Sequence, residues 1–376
     1  VRGKFWATPP RRGNLRAVKQ LGIIIVTYQS ERHIGPLLRS LEATLAGATA
    51  VVMIWDNAST DATLAVIERE RVSLRFDLRV LPSAENVGFT RGNNGAYAAL
   101  QRDCPCTNIV LLNPDTVVHE GWWQPLVRAL EDPQVGSVAP LLLLPDGTVN
   151  ACGNALHFLG FGFVQHYGER PAELPAQVEL FSGTGAALAF RPATLEAMNA
   201  QLGLTGIFWE DLFLYAEDTD LGWRLRLAGL RNAVARESRV THDHRFWLQP
   251  LEAQRDRMFY LERNRYLLLL ANARVGTLLL LAPWVVASEI ALALGVWKLY
   301  PQRVHLWREV LREARRPEFR ARRRRLQTGR SVPDRAIVGA MTGSIRHGAI
   351  PFRGSERVLD LFLRASHRLL AFFIGW

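Results

Sequence analysis

The sequence predicts an α/β protein: a mostly parallel sheet with helices on both faces, followed by a helical C-terminal region. Three observations carry this. Short β-branched apolar runs alternate with helically spaced segments over the first 112 residues, the pattern of crossovers between parallel strands. Polar clusters fall just after those runs, where open α/β sheets bind their ligands. The last third changes character, turning apolar and then arginine-rich and amphipathic.

The elements follow in order. Residues 21–27 (LGIIIVT) read as a buried strand. Residues 33–46 carry Ile34, Leu37, Leu38, Leu41 and Leu45 at helical spacing, and VVMIWD at 51–56 is a second strand. A helix at 61–70, a strand at 76–81, a helix at 91–102 and a strand at 108–112 come next. Residues 135–150 read as two short strands joined by Pro145-Asp146-Gly147-Thr148, and the glycine- and aromatic-rich stretch 153–168 as a loop. Residues 179–190 form a strand, and a helix opens near Pro192. Residues 217–229 form a helix with acids at its start and Gly229 at its end, as the helix dipole and C-cap favour. Residues 231–236 return as a strand, and 251–274 are helical.

A chain of 376 residues, 48% hydrophobic, has ample material for one large or two medium domains. Its 22% charged residues exclude intrinsic disorder. Three cysteines, Cys104, Cys106 and Cys152, are too few for a disulfide scaffold or a structural zinc site, so a reducing compartment is the simplest reading. The opening residues lack a secretory pattern and read as a basic arm, residues 1–20, of a protein that is not exported. The expected organisation is that arm, a catalytic domain over 21–250 with halves at 21–117 and 118–250, and a membrane-associating helical region over 251–376.

The net charge of +11 is unevenly spread. From Lys298 onward there are 18 basic and 6 acidic residues, against 28 and 29 before it. Such a tail suits a polyanion, either nucleic acid or an anionic membrane face. Residues 275–297 are apolar apart from Glu289 and a few small polar groups, long enough to span a bilayer. Pro283 and Glu289 argue against a span, since a carboxylate at a helix centre costs roughly 2.5–3.5 kcal/mol on insertion scales. An interfacial or re-entrant helix pair is favoured, with a soluble core as the remaining reading. Residues 357–376 set Leu, Phe and Trp side chains against Arg357, Arg364 and Arg368, in the manner of an interfacial helix.

Four clusters carry candidate chemistry. Asp56-Asn57-Ala58-Ser59-Thr60-Asp61 follows a strand; Asp56 can accept from a base N–H or a ribose hydroxyl, or the cluster can simply cap the next helix. Glu85 to Gly95 combines glycines with Arg91 before a helix start, which offers N–H groups to an anion or is an ordinary loop. Asn113-Pro114-Asp115 ends an apolar strand, where one carboxylate can share a hard cation with substrate phosphates or form a turn. Glu217, Asp218 and Asp220 crowd one helix start, and His242-Asp243-His244 follow the next strand. One of those acids suits a general base and a histidine suits a metal or phosphate, although the helix dipole also explains the acids.

Taken in order, TYQS, DNASTD, ENVGFTRGNN, LLNPD, SGTGAALAFRP, FLYAEDTDLGWR and VTHDH resemble the family 2 glycosyltransferases of GT-A fold, over roughly residues 20–245. The Asn-Pro-Asp motif, and Arg263-Asn264 after the aromatic pair Phe259-Tyr260, look most like the bacterial rhamnosyltransferase-type branch. The resemblance implies a Rossmann-like GT-A domain that transfers sugar with inversion. It implies dTDP-rhamnose as donor, a polyprenyl-diphosphate-linked GlcNAc as acceptor, Mg²⁺ or Mn²⁺ as cofactor, and work on O-antigen or cell-wall polysaccharide. It also implies roles. Thr27 and Tyr28 line the nucleotide, and Asp56 reads the base. Asn86, Gly88 and Arg91 sit near base, ribose or diphosphate. Asp115, with Asn113 beside it, and His242 hold the metal, with His244 as a substitute. Asp218 is the base, Glu217 places the acceptor, and Trp209, Glu210 and Asp211 form the acceptor-side segment. Asn113 stands where many relatives carry an acid, and Arg91 where a small residue is common.

Competing classes are less well supported. A processive synthase would show a QxxRW-type motif, and a dehydrogenase a GxGxxG after the first strand; neither is present. RNP-like motifs and zinc spacings are missing, which disfavours nucleic acid. A UDP-sugar donor, and a sugar-nucleotide-binding module without catalysis, remain as alternatives. The expected setting is the cytoplasmic face of the inner membrane, as a peripheral or monotopic protein, and nothing in the pattern excludes an oligomer.

Overall fold

The computed structural model describes residues 19–243, 251–296, 303–345, 348 and 354–375. The basic arm up to residue 18 and His244 lie outside them. The first half is built of β1 (Lys19–Thr27), α1 (Ile34–Thr44), β2 (Ala50–Asp56), α2 (Thr63–Arg71), β3 (Asp77–Pro82), α3 (Gly88–Asp103) and β4 (Cys106–Leu112). Next come β5 (Thr116–Val118), α4 (Trp123–Ala129), β6 (Val135–Leu143), β7 (Val149–Ala151), β8 (Asn154–Leu156) and β9 (Gly162–Val164). β10 (Ala187–Phe190), α5 (Pro192–Leu202), α6 (Glu217–Leu227) and β11 (Arg231–His242) complete the sheet region. The C-terminal third forms α7 (Leu251–Asn272), α8 (Val275–Val296), α9 (Arg303–Arg315), α10 (Pro317–Gly329), α11 (Asp334–Gly339) and α12 (Gly354–Phe373).

The main sheet runs β3-β2-β1-β4-β10-β6-β11-β5, with β7 beside β6. Strands β3, β2, β1 and β4 are parallel. Beyond them the expected parallel pattern gives way. β10 is antiparallel to both β4 and β6, β5 to β11 and β7 to β6, while β6 and β11 are parallel. Long helical crossovers impose the parallel half, whereas the short return through Pro145–Thr148 can only make an antiparallel pair.

Helices cover both faces. One core gathers residues of α1, α2 and α4, among them Leu37, Ile67 and Leu126. The other gathers α3, α5 and α6 and continues without a break through α7, α10 and α12, from Ile24 to Ile374. The C-terminal helices therefore share the sheet's own core.

Three segments differ from the sequence pattern. Residues 153–168, read as a loop, contain the β8–β9 hairpin. Only the last four residues of 179–190 are strand; Phe181 and Ser182 instead exchange backbone hydrogen bonds with Asn154. The final strand runs past residue 236 to His242, across an irregularity between Ala235 and Arg239 that breaks its alternation. The three cysteines are buried.

Candidate active site

The site forms along the carboxyl ends of β1, β2 and β4 and at the start of α6. Thr27 and Asp56 are register partners at the ends of β1 and β2. Thr27 Oγ1 donates to Asp56 Oδ1 at 2.8 Å, and Ser59 donates to the same carboxylate from Oγ (2.6 Å) and from its backbone N–H (2.9 Å). Asp56 is buried and acts first as a turn brace, with one of a carboxylate's four acceptor positions left. Tyr28 beside it is exposed. Asn57, which sequence reasoning passed over, ties this turn to the next segment: its Nδ2 donates to the Gly88 carbonyl and its Oδ1 accepts from Val87 N–H.

The start of α3 is not an open anion cradle. Asn86 Oδ1 accepts from Gly88 N–H, and Phe89 and Thr90 N–H both donate to the Phe213 carbonyl. Those donors are spent on the chain itself. Gly88 has φ +85°, and a Cβ there would lie 2.5 Å from the Phe213 ring, so only glycine fits. Arg91 faces Glu210 at 3.5 Å, half-exposed. Asn86, Arg91, Glu210 and Asp211 line one cleft of about 310 Å³, with Arg263 and Arg316 across from them. Trp209 is not in that cleft. It is buried, with the Arg322 guanidinium 4.3 Å over its ring and its Nε1 donating to Asp211; it supports the segment from behind.

Asp115 lies on the turn between β4 and β5, and His242 ends β11, paired in register with Thr116. Asp115 Oδ1 faces His242 Nε2 at 3.4 Å, while His242 Nδ1 meets Asn150 Oδ1 at 3.2 Å. A histidine that donates through Nδ1 presents the lone pair of Nε2 to that carboxylate. Two electron-rich groups so placed suit a cation between them. Asn113 sits alongside, its buried Oδ1 accepting no hydrogen bond among the described residues. Also among these residues, no three His, Cys, Asp or Glu side chains form a cage by themselves. The arrangement is a half-site, suited to an ion whose other ligands are phosphate oxygens and water.

Glu217 and Asp218 open α6. Asp218 accepts four hydrogen bonds: from Gly185 N–H (2.9 Å) and Asn154 Nδ2 (3.0 Å) on one oxygen, and from Thr219 N–H (2.6 Å) and Oγ1 (3.2 Å) on the other. Glu217 is buried, more so than the half-buried Asp218, and its Oε2 has no partner among the described residues. Burial pushes Glu217 up to about 8, and the neighbouring Asp218 charge adds to the rise. Burial also raises Asp218, against the pull of its four donors. The donors stabilise charge on Asp218 and leave the proton with Glu217. Asp220, the third acid, belongs elsewhere. Burial opposes its ionisation, but Arg322 and Arg224 outweigh it and hold its pKa low, with Arg224 Nε at 2.7 Å and Arg322 Nη2 at 2.9 Å. Part of the basic run 320–325 is thus spent inside the protein.

The segment before α6 is strained. Phe213, Tyr215 and Ala216 all have φ between 63° and 66°, a conformation that costs a non-glycine residue about 1–3 kcal/mol. Asn264 of α7, fully buried, holds it: Nδ2 faces the carbonyls of Leu212, Leu214 and Tyr215 at 2.8–3.0 Å. Arg263 donates to the Asp211 carbonyl and to Asn264 Oδ1. The Tyr215 hydroxyl is raised by burial and by the nearby Glu217 and Asp115 charges, with Arg257 opposing. Glu217, Asp115 and Arg257 thus all bias the Tyr215 hydroxyl, and Arg257 Nη1 is buried with no partner among the described residues. Asn154, Asn150 and Arg257 carried no motif signal of their own; Gly185 and Arg263-Asn264 were visible only as part of a resemblance.

Residues 22–194 match the family model Glycosyl transferase family 2. Over those residues the chain carries a glycosyltransferase family 2 domain. It is 26% identical over 237 residues to the N-acetylglucosaminyl-diphospho-decaprenol L-rhamnosyltransferase of Mycobacterium tuberculosis, covering 59% of this chain and 75% of that one. It is 27% identical over 221 residues to the O-antigen biosynthesis protein RfbC of Myxococcus xanthus, covering 55% and 16%. These likenesses place this glycosyltransferase in the rhamnosyltransferase-like branch. Among solved structures, the mannosyltransferase PcManGT from Pyrobaculum calidifontis, in complex with GDP-Man and Mn²⁺, shares the fold with a TM-score of 0.50 at 17% identity, covering 83% and 86%. GalNAc-T7, solved with UDP, GalNAc and Mn²⁺, does so with 0.51 at 14% identity, covering 69% of this chain and about half (51%) of its own. The fold is GT-A-like, mixed α/β.

Proposed function

We propose that this family 2 glycosyltransferase moves L-rhamnose from dTDP-rhamnose to a hydroxyl of a polyprenyl-diphosphate-linked saccharide, GlcNAc, with inversion, in cell-surface polysaccharide synthesis. The observation that carries this is the adjacent carboxylates Glu217 and Asp218 at the start of α6, together with the Asp115–His242 half-site, in a domain of this family. The rhamnosyl and polyprenyl assignments rest on the relatives' functions.

In this reading Tyr28 stacks on or lines the base and Asp56 accepts from it through its remaining position, with Thr27 holding that carboxylate. Asp115 and His242 hold a divalent cation with the donor's diphosphate. One nitrogen donor beside one oxygen favours Mn²⁺ over Mg²⁺, which prefers oxygen. The ion supplies neutralisation of charge on the leaving diphosphate. Arg257 adds positive charge there. Asp218 takes the proton of the attacking hydroxyl, held in place by Asn154 and Gly185, while protonated Glu217 donates to the acceptor. Glu210, Asp211 and Arg91 line the acceptor-side cleft. No enzyme nucleophile is required for a single displacement.

A second reading exchanges the carboxylates. Asp218 has four donors already, whereas Glu217 Oε2 has none. If Glu217 is the base, turnover climbs with pH through about 8; if Asp218 is the base and protonated Glu217 the donor, turnover falls through that pH. The test is a transfer assay with dTDP-rhamnose, UDP- and GDP-sugars on a short-chain polyprenyl-diphosphate GlcNAc, with and without Mn²⁺. Metal-dependent product from dTDP-rhamnose supports the reading; product from a UDP-sugar alone overturns the donor assignment.

A further inference from the structure

Helix α8 carries one charged residue, Glu289, and it faces inward. Glu289 Oε1 pairs with Arg265 Nη2 at 2.9 Å and with the Tyr266 hydroxyl, and Arg265 also meets Glu262 at 2.8 Å. The Arg265 guanidinium lies 3.9 Å from the Phe161 ring. The acid that argued against a span is thus neutralised inside the protein. What α8 turns outward is wholly apolar: Leu279, Val286 and Ile290 are more than half exposed, with Ala282, Pro283 and Ala287 between them.

Helix α12 lies beside it, Trp284 and Phe362 in ring contact at 5.3 Å. Its buried face is Asp360, Leu363, Ser366 and Leu370. Away from that face, Phe362, Leu369 and Phe372 are more than half exposed at helical spacing. Arg357, Arg364 and Arg368, spaced i, i+7 and i+11, form an exposed row along one edge. Between Arg357 and Phe373 the one acid is the buried Asp360. Contiguous apolar patches of this kind mark interaction sites. An apolar stripe with a cationic edge fits the boundary between acyl chains and anionic headgroups. Among the described residues no helix is long and apolar enough to cross a membrane.

We propose that α8 and α12 form one monotopic docking face for an anionic bilayer. The proposal deepens the lipid-linked-acceptor reading and rests on it for its purpose. The face also adjoins the site. Phe158, on the turn after β8, stacks on His367 of α12 at 5.7 Å and meets Trp284 of α8 at 6.5 Å, while Asn154 of β8 holds Asp218. A lipid-borne acceptor held at this surface has its sugars brought to the carboxylates along the β8–β9 hairpin.

Flotation of the full chain with phosphatidylglycerol/phosphatidylcholine vesicles, and with phosphatidylcholine alone, tests the proposal. Wild type is expected to float with the anionic vesicles, more at low salt. The double variant L369Q/F372Q, altered only at exposed positions, should lose at least tenfold in vesicle partitioning with an unchanged melting point and unchanged dTDP-rhamnose binding. R357Q/R364Q/R368Q should bind anionic vesicles no better than neutral ones. Vesicle binding by L369Q/F372Q equal to wild type overturns the proposal. So does a wild type that ignores vesicles, or a dimer in solution that L369Q/F372Q turns to monomer, which would make a second copy the occupant. Sugar-nucleotide binding is read separately, so failure of the membrane face is distinguishable from failure of the transferase reading.

Discussion

Glu217→Gln should flatten the pH dependence of stability. Glu217 is buried, its Oε2 has no partner, and its neighbour is a second carboxylate. Its pKa rises from the ordinary 4.5 to about 8 in the fold. The folded state therefore binds this proton more tightly than the unfolded chain. Its contribution to stability is full below pH 4.5 and is lost as pH rises through about 8. A tenfold change in proton affinity is worth about 1.4 kcal/mol, so ionising Glu217 within the fold costs on the order of 5 kcal/mol. In melting temperature that is roughly 5–10 °C for a chain of this size. Thermal unfolding of wild type and E217Q between pH 5 and pH 9 measures it. Wild type should lose that margin across the range and E217Q should not, leaving the variant the more stable protein at pH 9. Parallel slopes for the two proteins would refute the reasoning. They would show that water, or a rearranged Asp218, compensates the charge.

Other perturbations probe the remaining parts. Asp218→Asn should reduce transfer by at least a hundredfold while dTDP-rhamnose binding stays within a few-fold, as read by calorimetry; undiminished turnover would move the base role to Glu217. His242→Ala and Asp115→Asn should each abolish the Mn²⁺-dependent part of the thermal shift given by dTDP-rhamnose, and a retained metal effect would remove the half-site. Asn264→Asp keeps the shape but loses the donors to three carbonyls. It should destabilise by about 3 kcal/mol and lower kcat more than it raises KM, because it releases the strained turn that aims Glu217 and Asp218. Gly185→Ala places a Cβ 2.9 Å from Glu217 Oε1. It should cut kcat with little loss of melting temperature, while a fall in stability alone would count against a role for that close approach.

The elements up to residue 112 were legible because the central strands, covered on both faces, read as nearly unbroken apolar runs, while a helix such as α1 buries one face at helical spacing. Beyond residue 112 the pattern fails where side chains serve two masters. The stretch 179–190 looked like one strand because its residues are small and apolar. Yet Gly183 and Gly185 are there for close approach: a Cβ at 183 would lie 2.2 Å from Leu188, and Gly185 must give its N–H to Asp218. The last strand seemed to stop at 236 because the irregularity between Ala235 and Arg239 interrupts alternation, and that continuation is what delivers His242 to Asp115. Asp218, Glu217, Asp115 and His242 were found by motif. Asn154 and Asn150, which bond to Asp218 and His242, and Arg257 were not, because a lone Asn or Arg has no spacing to betray it.

The C-terminal third was the hardest to read. Hydropathy and charge set residues 251–376 apart as an appendage, but three consecutive residues of α7 tie it to the chemistry. Arg263 and Asn264 hold the 211–215 turn that leads into the paired carboxylates. Arg265 reaches the other way, to Glu289 in the apolar helix, and donates to the Leu159 carbonyl of the hairpin that carries Asn154. A helix period places neighbours about 100° apart, so adjacent residues can serve two different surfaces. No local pattern in the sequence distinguishes that from an ordinary charged stretch. The consequence is physical: a strained turn of three positive-φ residues persists only where its surroundings over-determine it, and here α7 supplies those surroundings. Removing the C-terminal helices should therefore destroy transfer even to a water-soluble acceptor, whereas a detachable membrane anchor would leave that reaction intact.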